Sequence, residues 1–391
     1  MEPISPPGKQ AATLPGAVSA AQKTATLLIL LFFFLLGVQG LGDGFRLLGR
    51  DLLEAFFATT ENPFMALVVG ILATTLVQSS SVTTAMIVGL VAAPENPLPL
   101  ANAVPMVMGA NIGTTVTNTV VSLAHMGRRE EFFRAFSVAT CHDFFNFITV
   151  AVLLPLEITT GFLRRTAVAL ASTFGEVGGV TYENPLKDAL KAALEPFRSL
   201  AGALVEAEEG QGILLVLFSA ILIFGALLLL VKAMRSATQS SIEVFITRFL
   251  GRNAFYSILL GALVTVMVQS SSITTSLLVP LAGAGLLTLE QAFPVTIGAN
   301  VGTTVTALLA TLAVAGANAQ AGVEIALVHV LFNLSGIVLI YPVPFMRRLP
   351  LRAARRLART AVESRKWALL YVAALFYGLP SILVVLHKFF E

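Results

Sequence analysis

The chain has 391 residues, of which 56% are hydrophobic and only 12% charged, with a mean hydropathy of +0.84 and a formal net charge of +3. So apolar a composition excludes a soluble multidomain protein and places the chain in a bilayer. The few positive charges fall in tails and connections, so a nucleic-acid partner is not expected.

In chain order, the residues before Lys23 lack an apolar region with a small-residue cleavage site and read as a cytoplasmic tail. Crossing the hydrocarbon takes ~20 apolar residues. Runs of that kind are Thr24–Leu41, Ala135–Leu154, Gly212–Val231, Val323–Tyr341 and Trp367–Leu386. Cys141 is the single cysteine, which excludes an internal disulfide and a cysteine-built metal cluster; it reads as a small buried hydrophobe.

Between these runs one unit occurs twice. LVQSSSVTTAMI (Leu76–Ile87) is answered by MVQSSSITTSLL (Met267–Leu278), and GANIGTTVT (Gly109–Thr117) by GANVGTTVT (Gly298–Thr306). HDFFN (His142–Asn146) then matches HVLFN (His329–Asn333). Each glutamine follows an apolar arm too short to span the membrane: fourteen residues separate Phe64 from Val77 inclusive. The expected fold is therefore an all-α polytopic membrane protein with two repeats. Each repeat carries a re-entrant helical hairpin at QSSS and an interrupted helix at GAN(I/V)GTT. The return arms are expected to close at Pro94 and Pro97 and at Pro280.

Charge sets the orientation. Arg128, Arg129 and Arg134 follow the first GTT phrase, while Ala315–Gly322 after the second has no charge. Lys232, Arg235, Arg248 and Arg252 precede the second unit, and Arg347–Lys366 holds eight basic residues, read as an amphipathic segment on the inner leaflet. The two units are then inverted relative to each other. The division is a tail (1–23), a first helix and connection (24–61) and repeat one (62–155). An extracellular linker (156–211) and a helix with a cytoplasmic connection (212–252) follow. Repeat two (253–342), the basic segment (343–366) and a C-terminal span (367–391) complete the chain. The N-terminus is placed in the cytoplasm and the C-terminus outside the cell membrane.

No Lys or Arg occurs between Arg50 and Arg128 or between Arg252 and Arg347. In their place stand Ser79, Ser80, Ser81 and Thr114, with Ser270, Ser271, Ser272 and Thr303 in the second copy. A helix restarting after a break exposes unpaired amides that favour an anion, and serine hydroxyls add donors, so these residues suit a small oxyanion. Such donors do not neutralise a dianion in a low-dielectric core. The amide and hydroxyl oxygens of Gln78, Asn111, Asn146 and Thr117, with Gln269, Asn300, Asn333 and Thr306, are hard neutral ligands suited to an alkali cation. Asp143 lies inside an apolar stretch where repeat two has Val330; an ionisable residue at that depth marks an ion path, the bland reading being a pair with His142 or Arg134. His142 and His329 are read as structural.

The string QSSS…GANIGTTVTN…GRREEFFRAFSVATCHDFFN…LLPLE resembles the type II sodium-dependent phosphate cotransporter family, from about Asn62 to His387. The resemblance implies a secondary-active symporter, not an enzyme, that imports inorganic phosphate with Na+ as coupling ion by alternating access, with no other cofactor. It places phosphate at Ser79–Ser81 and Ser270–Ser272 and draws sodium ligands from Gln78, Asn146, Gln269, Thr303 and Thr306. Asp143 falls where electrogenic members carry aspartate, so electrogenic uptake of divalent phosphate is expected. The short, cysteine-free Gly175–Gly210 stretch and the end at Glu391 point to a prokaryotic member. Membrane lipids are the surrounding partner, and the transport unit is expected to be one protomer, with a homodimer as the alternative. Arsenate or sulfate transport, and more remotely an ion channel, stay open, since hydroxyls and amides bind any tetrahedral oxyanion. A hydrolase lacks a general base beside QSSS.

Overall fold

The computed structural model describes residues 20–47, 59–94, 96–177, 185–223, 225–226, 229, 253–314 and 317–390. The tail up to Ser19, Arg50, Ala315 and the basic run Lys232, Arg235, Arg248 and Arg252 lie outside them. Every regular element among the described residues is helical. They are α1 (Ala20–Leu47), α2 (Pro63–Val77), α3 (Ser80–Val91), α4 (Leu100–Thr114), α5 (Val116–Leu123), α6 (Arg129–Thr160), α7 (Phe162–Val177), α8 (Pro185–Leu204) and α9 (208–223). After these come α10 (Ala254–Val268), α11 (Ser271–Gly283), α12 (Leu289–Ala310), α13 (Ala319–Ile340), α14 (Pro344–Glu363), α15 (Arg365–Val372) and α16 (Leu379–Phe390). A π-helical turn, Ala373–Gly378, joins the last two.

The partition of side chains is that of a membrane protein. Ile29, Phe33, Leu217, Ile221, Phe255, Val338 and Ile382 are exposed, while Thr74, Asn118, His142, Asp143, Asn146 and Asn300 are buried. In water that arrangement is costly on both counts; in lipid it is the favourable one. Among the described residues, four helices are long and apolar enough to cross a bilayer: Arg129–Thr160, Leu289–Ala310, Ala319–Ile340 and Arg365–His387. The molecule is a multi-pass membrane protein.

The two sequence units fold alike. Asn62 caps α2 by accepting from the amides of Phe64 and Met65, and Asn253 caps α10 by accepting from Phe255. Each helix then stops at a glutamine in the left-handed region, Gln78 (φ 57°) and Gln269 (φ 53°). The chain restarts at an extended serine, Ser79 or Ser270, whose hydroxyl accepts from Val82 or Ile273. α2 packs along α4, and α10 along α12. A Cβ at Gly70 would strike the Met106 carbonyl, and one at Gly261 the Val295 carbonyl. Only glycine lets the backbones come so close.

The units also exchange contacts. α3 of the first lies on α12 and α13 of the second, and α11 of the second lies on α5 and α6 of the first. Arg134 of α6 donates to the carbonyls of Ala282 (3.2 Å) and Gly283 (2.8 Å), closing the end of α11.

Two expectations are corrected. The interrupted helix exists only in the first copy, where the chain pinches at Thr115; the second GTT phrase lies inside the unbroken 22-residue α12. Thr115 and its counterpart Thr304 bond alike, to the Ile112 carbonyl (2.8 Å) and the Val301 carbonyl (2.7 Å), so the hydroxyl of the second threonine does not set the difference. Next, α11 runs past Pro280 to Gly283, since a proline forfeits one ladder bond without ending a helix packed on its neighbours. The linker stretch Gly175–Gly210 contributes a helix of its own: α8 buries Leu190, Leu194 and Ala201 on one side, and Arg198 pairs with Asp43 of α1 at 3.0 Å.

Candidate functional site

The site is built around the two breaks. A non-glycine residue in the left-handed region costs about 1 kcal/mol or more, so its surroundings must hold it there. Gln78 donates from Nε2 to the Thr75 carbonyl (2.6 Å), and its Oε1 accepts from the Thr117 hydroxyl (3.1 Å). Gln269 does the same with Val266 (2.7 Å) and Thr306 (3.0 Å). Each glutamine thus ties its hairpin to the GTT segment of its own copy, joining four residues that the sequence had placed in the site.

Beyond each glutamine the serines present donors. With Ser79 capping Val82, the amides of Ser80 and Ser81 are the remaining open donors of the first turn of α3; Ser271 and Ser272 match them in α11. The hydroxyls of these four serines make no hydrogen bond among the described residues. Neighbouring threonines differ. Thr84 donates to Ser80 O (2.8 Å), Thr275 to Ser271 O (2.7 Å), Thr114 to Ala110 O (2.9 Å) and Thr303 to Asn300 O (2.6 Å). A hydroxyl whose proton is held by a helix carbonyl offers lone pairs, the face a cation needs. The serines are therefore free as anion donors, while Thr114 and Thr303 stand as acceptors.

A buried chain of amides links the copies. Ser276 donates to Asn118 Oδ1 at 3.0 Å, Thr275 Oγ1 lies 2.9 Å from the same oxygen, and Asn118 Nδ2 lies 3.4 Å from His142 Nδ1. His142 Nε2 is 2.6 Å from Asn300 Oδ1. Asn300 Nδ2 donates to Asn146 Oδ1 at 2.9 Å, and Asn146 Nδ2 to the Asn111 carbonyl at 2.7 Å. With the proton of His142 on Nε2, every bond runs in one direction, from α11 through α5, α6 and α12 to α4. The structure thereby brings Asn111, Asn146 and Asn300 together. Asn333 stands apart: its Nδ2 donates to the His329 carbonyl (3.0 Å), while its Oδ1 is buried without a partner.

Asp143 is fully buried. Its Oδ2 accepts from Tyr371 (2.7 Å) and Thr119 (3.3 Å), and its Oδ1 has no partner. Neither His142 nor Arg134 pairs with it, because the first is taken by Asn118 and Asn300 and the second by the end of α11. Asp143 Oδ1 and Asn333 Oδ1 are orphaned buried oxygens, which suits cation coordination.

Sequence reasoning missed Asn118, Tyr371 and Tyr377. Tyr377 lies 3.3 Å from Gln78 Nε2. Both tyrosines sit on the last membrane-crossing helix, outside the repeat. The only signal for them was a pair of polar-tipped aromatics in an otherwise apolar run.

The Na+/Pi-cotransporter family model matches residues 33–175 and 221–382. Among named proteins, the chain is 32% identical over 445 residues to "Sodium-dependent phosphate transport protein 2B" of Pongo abelii and of Homo sapiens, covering 90% of this chain and 64% of each relative. It is 34% identical over 433 residues to "Sodium-dependent phosphate transport protein 2A" of Ovis aries, covering 92% of this chain and 67% of that one. The chain thus spans about two thirds of the length of these relatives. No solved structure matches it.

Proposed function

The chain belongs to the Na+/Pi-cotransporter family, and from that membership we propose that it is a secondary-active symporter importing inorganic phosphate with sodium. The phosphate lies between Ser79–Ser81 and Ser270–Ser272, held by the open amides and hydroxyls of α3 and α11. Thr114 and Thr303 border it. Sodium is bound by oxygens of Gln78, Asn111, Asp143, Asn146, Gln269, Asn300, Thr303, Thr306 and Asn333.

One observation carries this reading: two anion-donor turns stand in stretches without Lys or Arg, in a chain whose interior also holds carboxylate and amide oxygens that lack a partner. A dianion bound by neutral donors alone is unfavourable in a low-dielectric core, so its charge is balanced by alkali cations entering with it. Coupling is then a matter of electrostatics rather than of a moving gate. Asp143 adds a negative charge in one copy only, which draws in one more cation and supports electrogenic uptake of divalent phosphate. The breaks at Gln78 and Gln269 are tips of re-entrant hairpins in two inverted repeats, with Arg128 and Arg347–Lys366 on the cytoplasmic face.

The experiment is radiolabelled phosphate uptake into proteoliposomes, with sodium outside replaced by potassium or choline. Uptake is expected to require sodium and to be accompanied by inward current. Asp143→Gly is expected to abolish the phosphate-evoked current while uptake persists. Equal uptake in all three salts would end the proposal.

A further inference from the structure

A cavity of about 350 Å³ lies where the start of α6 meets the α14–α15 junction, away from the buried polar chain and both glutamine breaks. Arg129, Arg365 and Lys366 line it, with Ser364 between the two helices. All three cations are exposed, and none forms an ion pair among the described residues. Glu363 is the one carboxylate on the wall, which leaves the cavity with an excess of positive charge. Two helices begin at this wall, α6 after Arg128 and α15 after Ser364, and neither has a side-chain cap on its first turn. The remaining wall is apolar: Met126, Val362 and the buried ring of Phe132.

The depth of the cavity is marked by its neighbours. Trp367 is 53% exposed, and Leu369 and Leu370 beyond it are half exposed, as befits a helix entering lipid from an aromatic belt. On the other side, α14 buries Leu351, Ala354, Ala358 and Ala361 and turns Arg348, Arg352, Arg356 and Arg359 outward, the pattern of a helix lying in a membrane surface. The cavity sits between these two markers, at headgroup level. A soluble anion would have no use for the Met126–Phe132–Val362 side, whereas a phosphodiester with an attached glycerol and acyl chain would use both walls.

We propose that this cavity binds the headgroup phosphate of an anionic phospholipid, with Arg129, Arg365 and Lys366 as its ligands and the apolar wall receiving the first carbons of the lipid. The location gives such a lipid a purpose. Phe132 contacts Phe136 at 5.2 Å between ring centroids, and Phe136 contacts Tyr371 at 6.4 Å. Tyr371 lies on the helix that Arg365 and Lys366 begin, and it donates to Asp143. A lipid holding the start of that helix therefore braces the residue that orients Asp143.

Trp367 is the only tryptophan in the chain, so it reports on the site directly. The full chain is reconstituted in phosphatidylcholine vesicles containing a minor fraction of either brominated phosphatidylglycerol or brominated phosphatidylcholine. Brominated phosphatidylglycerol is expected to quench Trp367 several-fold more strongly than the same fraction of brominated phosphatidylcholine. R129Q/R365Q/K366Q is expected to reduce that quenching to the phosphatidylcholine level; because these side chains are exposed, its thermal unfolding should match the parent. R348Q/R352Q/R356Q, on the outward face of α14, is expected to retain the preference. Equal quenching by the two lipids overturns the proposal. So does a loss of preference in the α14 variant, which would mark general surface charge, or reversal of quenching by added inorganic phosphate, which would mark a site for soluble anions.

Discussion

The two copies of the repeated unit part company at their buried histidines: the first sets a carboxylate next to a hydrogen-bonded histidine, the second a valine next to an unbonded one. Asp143 stands opposite Val330. His142 bonds to Asn118 and Asn300, whereas neither nitrogen of the buried His329 has a partner. The cause is legible in the register: Thr117 corresponds to Thr306, so Asn118 corresponds to Ala307, and the second histidine has no amide to meet. Gln78 is exposed and touches Tyr377, while Gln269 is half-buried. Yet the breaks, caps and glutamine–threonine ties are the same within a tenth of an ångström or so. The shared parts are those that shape the proposed oxyanion site, and the divergent parts are those that place charge and polarity around it.

If the scaffold is truly duplicated, equivalent changes to it should cost the same in both copies. Gly70→Leu and Gly261→Leu each drive a side chain into a backbone carbonyl, and each is expected to lower stability by about 3 kcal/mol or more, read as loss of monodisperse protein and of thermal stability in detergent. A mild effect in one copy alone would break the equivalence. The serines test it within the site. Ser80→Ala and Ser271→Ala each remove a donor to a charged ligand, worth about 1.5–3 kcal/mol, and are expected to reduce uptake at low phosphate by roughly 10- to 150-fold, with similar losses from either copy. The histidines should then separate the copies. His142→Leu leaves Asn118 Nδ2 and Asn300 Oδ1 without their partner and is expected to destabilise by about 1–3 kcal/mol, while His329→Leu removes two unbonded polar atoms and is expected to be neutral or stabilising; differential scanning fluorimetry compares them.

What the sequence made legible was whatever it said twice. The duplicated QSSS and GTT phrases gave the helix breaks, the capping serines and the glutamine–threonine pairing, because each depends on local backbone preferences and on residues within one unit. The charge of Asp143 stood out against an apolar run. Residues supplied once, by a distant element, were not legible. Asn118 has no counterpart to flag it, and Tyr371 and Tyr377 belong to a helix outside the repeat. Arg134 read as a topological charge, yet it closes α11 from 148 residues away. The continuity of α12 was not legible either, because the same GTT phrase pinches at Thr115 and stays helical through Thr304.

The glycine contacts have a mechanical consequence. With backbone pressed on backbone at Gly70–Met106 and Gly261–Val295, α2 and α4 have no slack to slide, and neither have α10 and α12. Each hairpin must travel with its companion helix as a stiff plate. Any rearrangement that opens the interior to one side and then the other has to be absorbed at the seams between plates, where Asn118 meets Thr275 and Arg134 meets Gly283. Those few polar contacts can be exchanged one for another at little net cost, so the molecule keeps its hinges where its bonds are replaceable.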